Sequence, residues 1–440
     1  MSPRFSANVV RSLVVNGLLL GVQLLSATLL ARILGVAGRG EYAAILAWPS
    51  FLAGFFSLGL PSAVIYFSAR EPGASRETAA TAMVAGLVPL SMVIIAAWFA
   101  MPLILSAQQA PIIAAARLYM ILFGLSTLLW NCSLCGLQGL GRFDAWNVGR
   151  LFQPILWIGL LVAASWIGRG DSRNLSLINA ISYVIVAPLI FLSFHRLAAG
   201  RYRVEAPRAR SMLRYGVPTN LATLPLQANQ RLDQLLMASF LEPRVLGLYV
   251  VAVNLSTLLQ HATSPIGQVL VSHIARLQDP RAQRNTLGQV SRISVLVSAV
   301  VGILLFATAP LAIRVLFGPK FENSIPAVLI LVPAAAIYAV ASILESALMG
   351  LGQPPALLRA ESAGLVVTLA GLAWTLPRYP LIGASVTSLL SYVTILAVVL
   401  WHCHRITGIE IAEMLMPTRA DIKKAVALAL SRRSIVPEGT

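Results

Sequence analysis

Charged side chains are scarce in this sequence, 11% of 440 residues, where a soluble domain carries about 25%. That deficit excludes a soluble globule. Lysine is rarest: Lys320, Lys423 and Lys424 are the three present, and none stands in the GxxxxGK[ST] pattern that cradles nucleotide phosphates. An ATP-hydrolysing pump is thereby excluded. The three cysteines, Cys132, Cys135 and Cys403, lie in or at the end of apolar runs and give neither a disulfide framework nor an indication of compartment. Cys132-Ser-Leu-Cys135 and His402-Cys403-His404 have ligand-like spacings, but neither is joined by a second pair, so helix packing and an interfacial polar cluster account for them and no metal is expected. Long hydrophilic stretches are missing too. The longest, roughly 196–214, is too short to bury a core, which excludes a large extramembrane catalytic domain.

What the sequence has instead is hydrocarbon. Charge-free runs such as 12–31, 42–69, 78–116, 174–195 and 379–404 match or exceed the ~20 residues that cross a bilayer as a helix. Apolar runs between charges and turn residues predict an all-α integral membrane protein with twelve spans near 10–32, 42–66, 79–104, 112–137, 145–167, 175–195, 213–238, 245–273, 289–317, 324–349, 355–376 and 381–403. The division at 104–112 rests on the polar and proline signals of SAQQAP. Arg4 and Arg11 precede the first run as in a signal peptide, but Ser12 to Ala31 exceeds a signal core and further spans follow, so an uncleaved first helix is expected.

The net charge of +17 would suit nucleic acid if it were gathered on one soluble surface; here the basic residues sit in short segments between spans, so no nucleic-acid partner is expected. Twelve spans put 23 Lys and Arg on the side of the termini and 8 on the other, with Arg117 and Arg231 inside spans. By the positive-inside rule both termini are cytoplasmic, in a multi-pass protein of the cell membrane. The tail 405–440 contains IKKAVALALSRR, which reads either as an amphipathic basic helix on the anionic leaflet or as a disordered tail.

The basic loop 196–212 divides the spans six and six, giving an N-terminal lobe of 1–210 and a C-terminal lobe of 211–404. Internal similarity points to a duplication. Gly40-Glu41-Tyr42-Ala43 corresponds to Gly247-Leu248-Tyr249-Val250 at an offset of 207, and Gly139-Leu140-Gly141 to Gly350-Leu351-Gly352 at 211. Because six is even, the lobes share an orientation, which implies a pseudo-two-fold along the membrane normal.

The stretches LLARILGVAGRGEYAAILAWPSFLAGFFSLGLPSAVIYFSAR (29–70), NQRLDQLLMASFLEPRVLGLYVVAV (229–253) and VLFGPKFENSIPAVLIL (315–331) resemble the polysaccharide flippases of the multidrug/oligosaccharidyl-lipid/polysaccharide exporter superfamily. The similarity covers about 5–400, and its helix-end motifs mark the superfamily better than the substrate. The resemblance implies a two-lobed transporter, not an enzyme, that moves undecaprenyl-diphosphate-linked oligosaccharide from the cytoplasmic to the periplasmic leaflet by alternating access, as in O-antigen and other polysaccharide biosynthesis. Its implied partners are that lipid-linked oligosaccharide, membrane lipids and other polysaccharide-assembly proteins. No cofactor is expected beyond coupling to a proton or sodium gradient. Alternatives are an ion-coupled multidrug exporter of the same superfamily, a polytopic glycan polymerase or ligase, which short external loops with few carboxylates disfavour, and a scaffold for glycan synthesis.

Intramembrane polar residues are the candidate site, because each is costly to bury in lipid. On a continuous seventh helix Asn220, Gln227, Arg231 and Gln234 share one face, and Asn229 with Asp233 forms an i,i+4 pair on another. Arg231 has two readings: a charge-assisted contact to the carrier diphosphate, or an ion pair with a carboxylate such as Glu345. Asp233, two positions away on another face, needs a partner from a different helix. Glu345 and Glu361 are candidate coupling or structural carboxylates, and Arg117 is a candidate contact that sits near enough to an interface to snorkel. Asn16 and Gln23 share a face of the first helix and suit either a cavity lining or interhelical hydrogen bonds. Arg142, Arg150 and Arg214 are placed at the cytoplasmic mouth.

Overall fold

A computed structural model describes residues 3–277 and 279–418. The tail segment IKKAVALALSRR lies outside them. Among the described residues there are fourteen α-helices and no strand. They are α1 (Pro3–Phe55), α2 (Leu60–Arg70), α3 (Ser75–Ile104), α4 (Ala110–Gly139), α5 (Phe143–Trp166), α6 (Ser172–Leu197), α7 (Ala206–Asn229), α8 (Leu232–Phe240), α9 (Pro243–Arg276), α10 (Pro280–Ala312), α11 (Ile325–Gly350), α12 (Pro354–Thr375), α13 (Pro380–Thr407) and α14 (Ile411–Leu415). A π-helical turn (Ile313–Phe317) and a 3₁₀ turn (Pro319–Ser324) connect α10 to α11.

Local chemistry sets the ends. Proline opens α9, α10, α12 and α13, where its missing N–H costs no helix bond and its φ is already helical. Asp171 caps α6, accepting from the Asn174 amide at 2.8 Å. Gly141 after α4, Gly352 after α11 and Gly408 after α13 have φ of 68°, 73° and 68°, a left-handed exit open to glycine.

Each of the twelve expected spans coincides with a helix or a helix pair, including the boundary at 104–112. Three local features differ from expectation. The first two spans have no loop between them: the chain stays helical through 33–41 and breaks only at Gly35 (φ 65°, ψ −171°), since one glycine suffices to reverse the backbone without a polar turn. The second span is interrupted at 56–59, where Leu58 and Gly59 take φ of 50° and 68°. The seventh is split after Asn229. Nine stretches among the described residues are long and apolar enough to cross a membrane, the first of them (Val14–Phe55) containing two expected spans, whereas the proline- and amide-rich α7 does not reach that apolarity.

The chain forms two compact units, one of Met1–Val251 with Ile313–Ser324 and one of Ala252–Ala312 with Ile325–Thr440. In the first, Leu60, Ala63 and Val64 of α2 pack with Ala82 of α3, Cys132 of α4 and Met212 of α7. On α3, Val88, Met92, Ile95, Phe99 and Leu103 repeat at helical spacing and stay exposed, an apolar stripe suited to lipid. In the second, Leu259 of α9 packs on Ala335 and Ala339 of α11.

The duplicated motifs meet their surroundings in duplicate. A Cβ on Gly139 would lie 2.7 Å from the Ile65 carbonyl oxygen of α2, and one on Gly350 would lie 2.9 Å from that of Val271 in α9. Gly40 and Gly247 meet each other. A Cβ on Gly40 would overlap the Pro243 carbonyl and lie 2.9 Å from the Gly247 nitrogen; one on Gly247 would overlap the Val36 carbonyl and lie 3.0 Å from the Gly40 nitrogen. Val36 and Pro243 are themselves 207 apart. The contact is therefore reciprocal, as a local two-fold axis requires.

Candidate functional site

The polar segment of the seventh span is not one helix. α7 ends at Asn229, Gln230 and Arg231 form a turn, and α8 starts at Leu232 with Arg231 (φ −137°) as its N-cap residue. The shared face expected for Asn220, Gln227, Arg231 and Gln234 is thus interrupted, a correction that follows from Pro225 and the polar run 227–231 weakening the helix where its periodicity was extrapolated. Arg231 is exposed, and among the described residues its guanidinium has no hydrogen bond and no ion pair. It lies in electrostatic reach of Tyr119, Tyr183 and Asp233.

Those neighbours are held from below. Asp233 is buried; its Oδ1 accepts from the Gln234 amide at 2.7 Å and its Oδ2 accepts from the Tyr249 hydroxyl of α9. Tyr119 donates to Asn179 at 3.0 Å and stacks on Phe123 at 5.1 Å, and Phe123 meets the edge of Tyr183 at 5.0 Å. Asp233, two positions from the Arg231 cation, is thus already held by other donors. Sequence reasoning missed Tyr119, Tyr183 and Tyr249; only Tyr249 carried a signal, through the repeat.

The other candidates scatter. Asn220 donates to the Phe55 carbonyl at 2.7 Å, bridging α7 to the end of α1, and Gln227 donates to Thr223 at 3.1 Å. Gln23 is exposed, while Asn16 accepts from Arg150 at 2.9 Å, and Arg150 lies 4.5 Å over the Trp146 ring. Arg142 and Arg214 are exposed. Arg117 donates to the Trp98 carbonyl at 2.7 Å and lies 5.1 Å over that ring, a contact within the α3–α4 hairpin.

Glu345 and Glu361 are brought together, which corrects the suggested pairing of Glu345 with Arg231. Both carboxyls are buried, at 5% and 1% exposure, and they hydrogen-bond to each other. The cause is topological: α11 and α12 are joined by a three-residue turn, 351–353, so residues shortly before and after it face one another. Tyr338 also donates to Glu361 at 3.2 Å, and Glu345 Oε1 has no partner among the described residues. His402 and His404 contact the backbone carbonyls of Val398 and Ile409, the three cysteines are free, and no three metal-ligating side chains cluster among the described residues.

Kinked helices with uncovered apolar faces define an all-α, multi-span membrane protein. Residues 29–326 match the polysaccharide biosynthesis protein family, and the chain belongs to it. No curated protein matches the sequence significantly. In structure the chain is similar to a lipid II flippase, MurJ, in an inward closed conformation, with a TM-score of 0.78 at 13% identity over 97% of this chain and 93% of that one. It is also similar to an inward-facing multidrug resistance MATE transporter, with a TM-score of 0.67 at 15% identity over 88% and 95% of the two chains. These likenesses establish the fold of the multidrug/oligosaccharidyl-lipid/polysaccharide exporter superfamily.

Proposed function

We propose that the protein flips a polyprenyl-diphosphate-linked oligosaccharide from the cytoplasmic to the periplasmic leaflet by alternating access, and that Arg231 grips the diphosphate. The observation that carries this reading is the state of Arg231: exposed in the polar turn between α7 and α8, with no acid bound to it among the described residues. A guanidinium in lipid demands a counter-charge or water. A diphosphate supplies the charge, and its oxygens suit the planar fork of Arg. Family membership and the likeness to a lipid II flippase support a lipid-linked glycan over a free drug. Arg142 and Arg214 attract the anion at entry, and the polyprenyl tail stays in lipid throughout.

Energy input is assigned in the same proposal to the Glu345–Glu361 pair. Two carboxyls that hydrogen-bond to each other must hold at least one proton between them, since only a protonated carboxyl can donate. Such a pair takes up or releases a proton as its surroundings open. Deleting the gene tests the substrate: lipid-linked oligosaccharide should accumulate on the cytoplasmic leaflet, with susceptibility to cationic drugs unchanged. Drug hypersensitivity with normal surface glycan would reassign the protein to drug export.

A further inference from the structure

Arg39 is buried, at 6% exposure, and its guanidinium has no ion pair and no hydrogen bond among the described residues; its Nε is sealed without an acceptor. The contact it does make is with Tyr42, whose ring centroid lies 5.5 Å from its Cζ. Other arginines of the same unit are provided for: Arg32 donates to the carbonyls of Leu316 and Val315, Arg150 to Asn16, and Arg208 to Glu71 at 2.9 Å. Glu41, the acid nearest in sequence, accepts from Ser172 instead. A buried charge without a counter-charge is a standing cost to the fold.

The α1–α9 contact includes the residue just beyond Arg39. The next residue is Gly40, whose backbone rests on Pro243 and Gly247 of α9. This contact is reciprocal and is made by backbone atoms on both sides. Arg39, just past the kink at Gly35 inside α1, and the start of α9 lie on the side that the charge asymmetry marks as periplasmic. Tyr42 in turn stacks on Trp157 of α5 at 6.2 Å.

We propose that Arg39 is a second, exit-side diphosphate site, closed beneath the Gly40–Gly247 contact and uncovered when that contact opens, which receives the lipid-linked diphosphate from Arg231. The inference rests on the reading of the substrate as a prenyl diphosphate, and it adds the position at which the headgroup pauses before release. Diphosphate passes from one guanidinium fork to another, so its charge has a counter-charge at both stages.

The test opens the contact and removes the first site. Full-length protein in lipid nanodiscs carrying Gly40→Leu and Arg231→Ala is titrated calorimetrically with farnesyl diphosphate, with farnesol and inorganic pyrophosphate as comparisons. Adding Arg39→Gln should weaken farnesyl diphosphate binding roughly tenfold or more, as loss of a charged hydrogen-bond donor does, and Arg39→Lys should weaken it less. Unchanged affinity in Arg39→Gln overturns the proposal, and binding of pyrophosphate without farnesyl diphosphate overturns the lipid-linked occupant. Gly247→Leu opens the contact from its other side and replaces Gly40→Leu if that variant does not accumulate. In the otherwise unaltered protein, Arg39→Gln should keep or raise the unfolding temperature while stopping transport. A lowered unfolding temperature would make Arg39 a structural residue and overturn the site. Arg231→Ala alone tests the entry site separately, so the two failures are distinguishable.

Discussion

Gly40 and Gly247, 207 residues apart, pack backbone against backbone, each against the other's helix one turn before it. Neither tolerates a Cβ there, because the space is occupied by the carbonyl oxygens of Pro243 and Val36. Equivalence under the local two-fold makes the two positions interchangeable in effect.

Gly40→Ala and Gly247→Ala should therefore impair transport to a similar degree, and the double variant should do little more, since one methyl already holds the helices apart. Export assayed in cells beside protein abundance checks this. Loss at one position with full activity at the other would break the equivalence.

Cysteines placed at Arg169 and Lys320 should react with a membrane-impermeant thiol reagent applied outside cells, and ones at Arg203 and Arg284 should not. The expectation follows from the 23 to 8 distribution of basic residues across the two sides. External labelling at position 203 would invert or abolish the assignment.

For Arg231, Arg231→Ala should lose nearly all export and Arg231→Lys part of it, with both proteins as abundant as the parent. A point charge replaces the charge but not the fork. Were the residue half of a buried ion pair, its removal would cost about 3–5 kcal/mol and lower abundance. Normal export by abundant Arg231→Ala would remove it from the substrate path.

The carboxyl pair gives a separate outcome. Glu345→Gln preserves a hydrogen bond to Glu361 but cannot give up a proton, so transport in proteoliposomes should lose its dependence on an imposed proton gradient while the protein stays folded. Replacing sodium by potassium should leave the parent's rate unchanged. A sodium requirement would transfer the coupling role from a proton to that ion.

The spans were legible because a bilayer imposes a length on apolar runs, and the proline boundary at 104–112 followed from the same reasoning. The interruption at Gln230 and Arg231 was not, since a 100° periodicity assumes the very continuity that the amide-rich segment gives up. Gly40 and Gly247 were visible as a repeat, but their mutual contact was not, because an offset in sequence says nothing of distance. Glu345 and Glu361 are 16 positions apart on different helices, so their pairing came only with the hairpin. Arg39 falls between the first two expected spans, where the chain kinks at Gly35 and resumes as helix without a polar turn, and there it is buried.

The segment that joins the two repeats has a history of its own. Its backbone is laced to the start of α3: Ser75 and Ala199 exchange hydrogen bonds at 3.3 and 3.1 Å, Arg76 donates to His195 and Gly200 carbonyls at 2.6 and 3.3 Å, and Arg208 reaches Thr78 at 3.0 Å. If an ancestral gene fused two copies here, the seam has since become a girdle on the first copy. A cut placed early in that seam, ahead of Ala199, would not recover two self-sufficient ancestors, because the first would leave its fastening behind on the second.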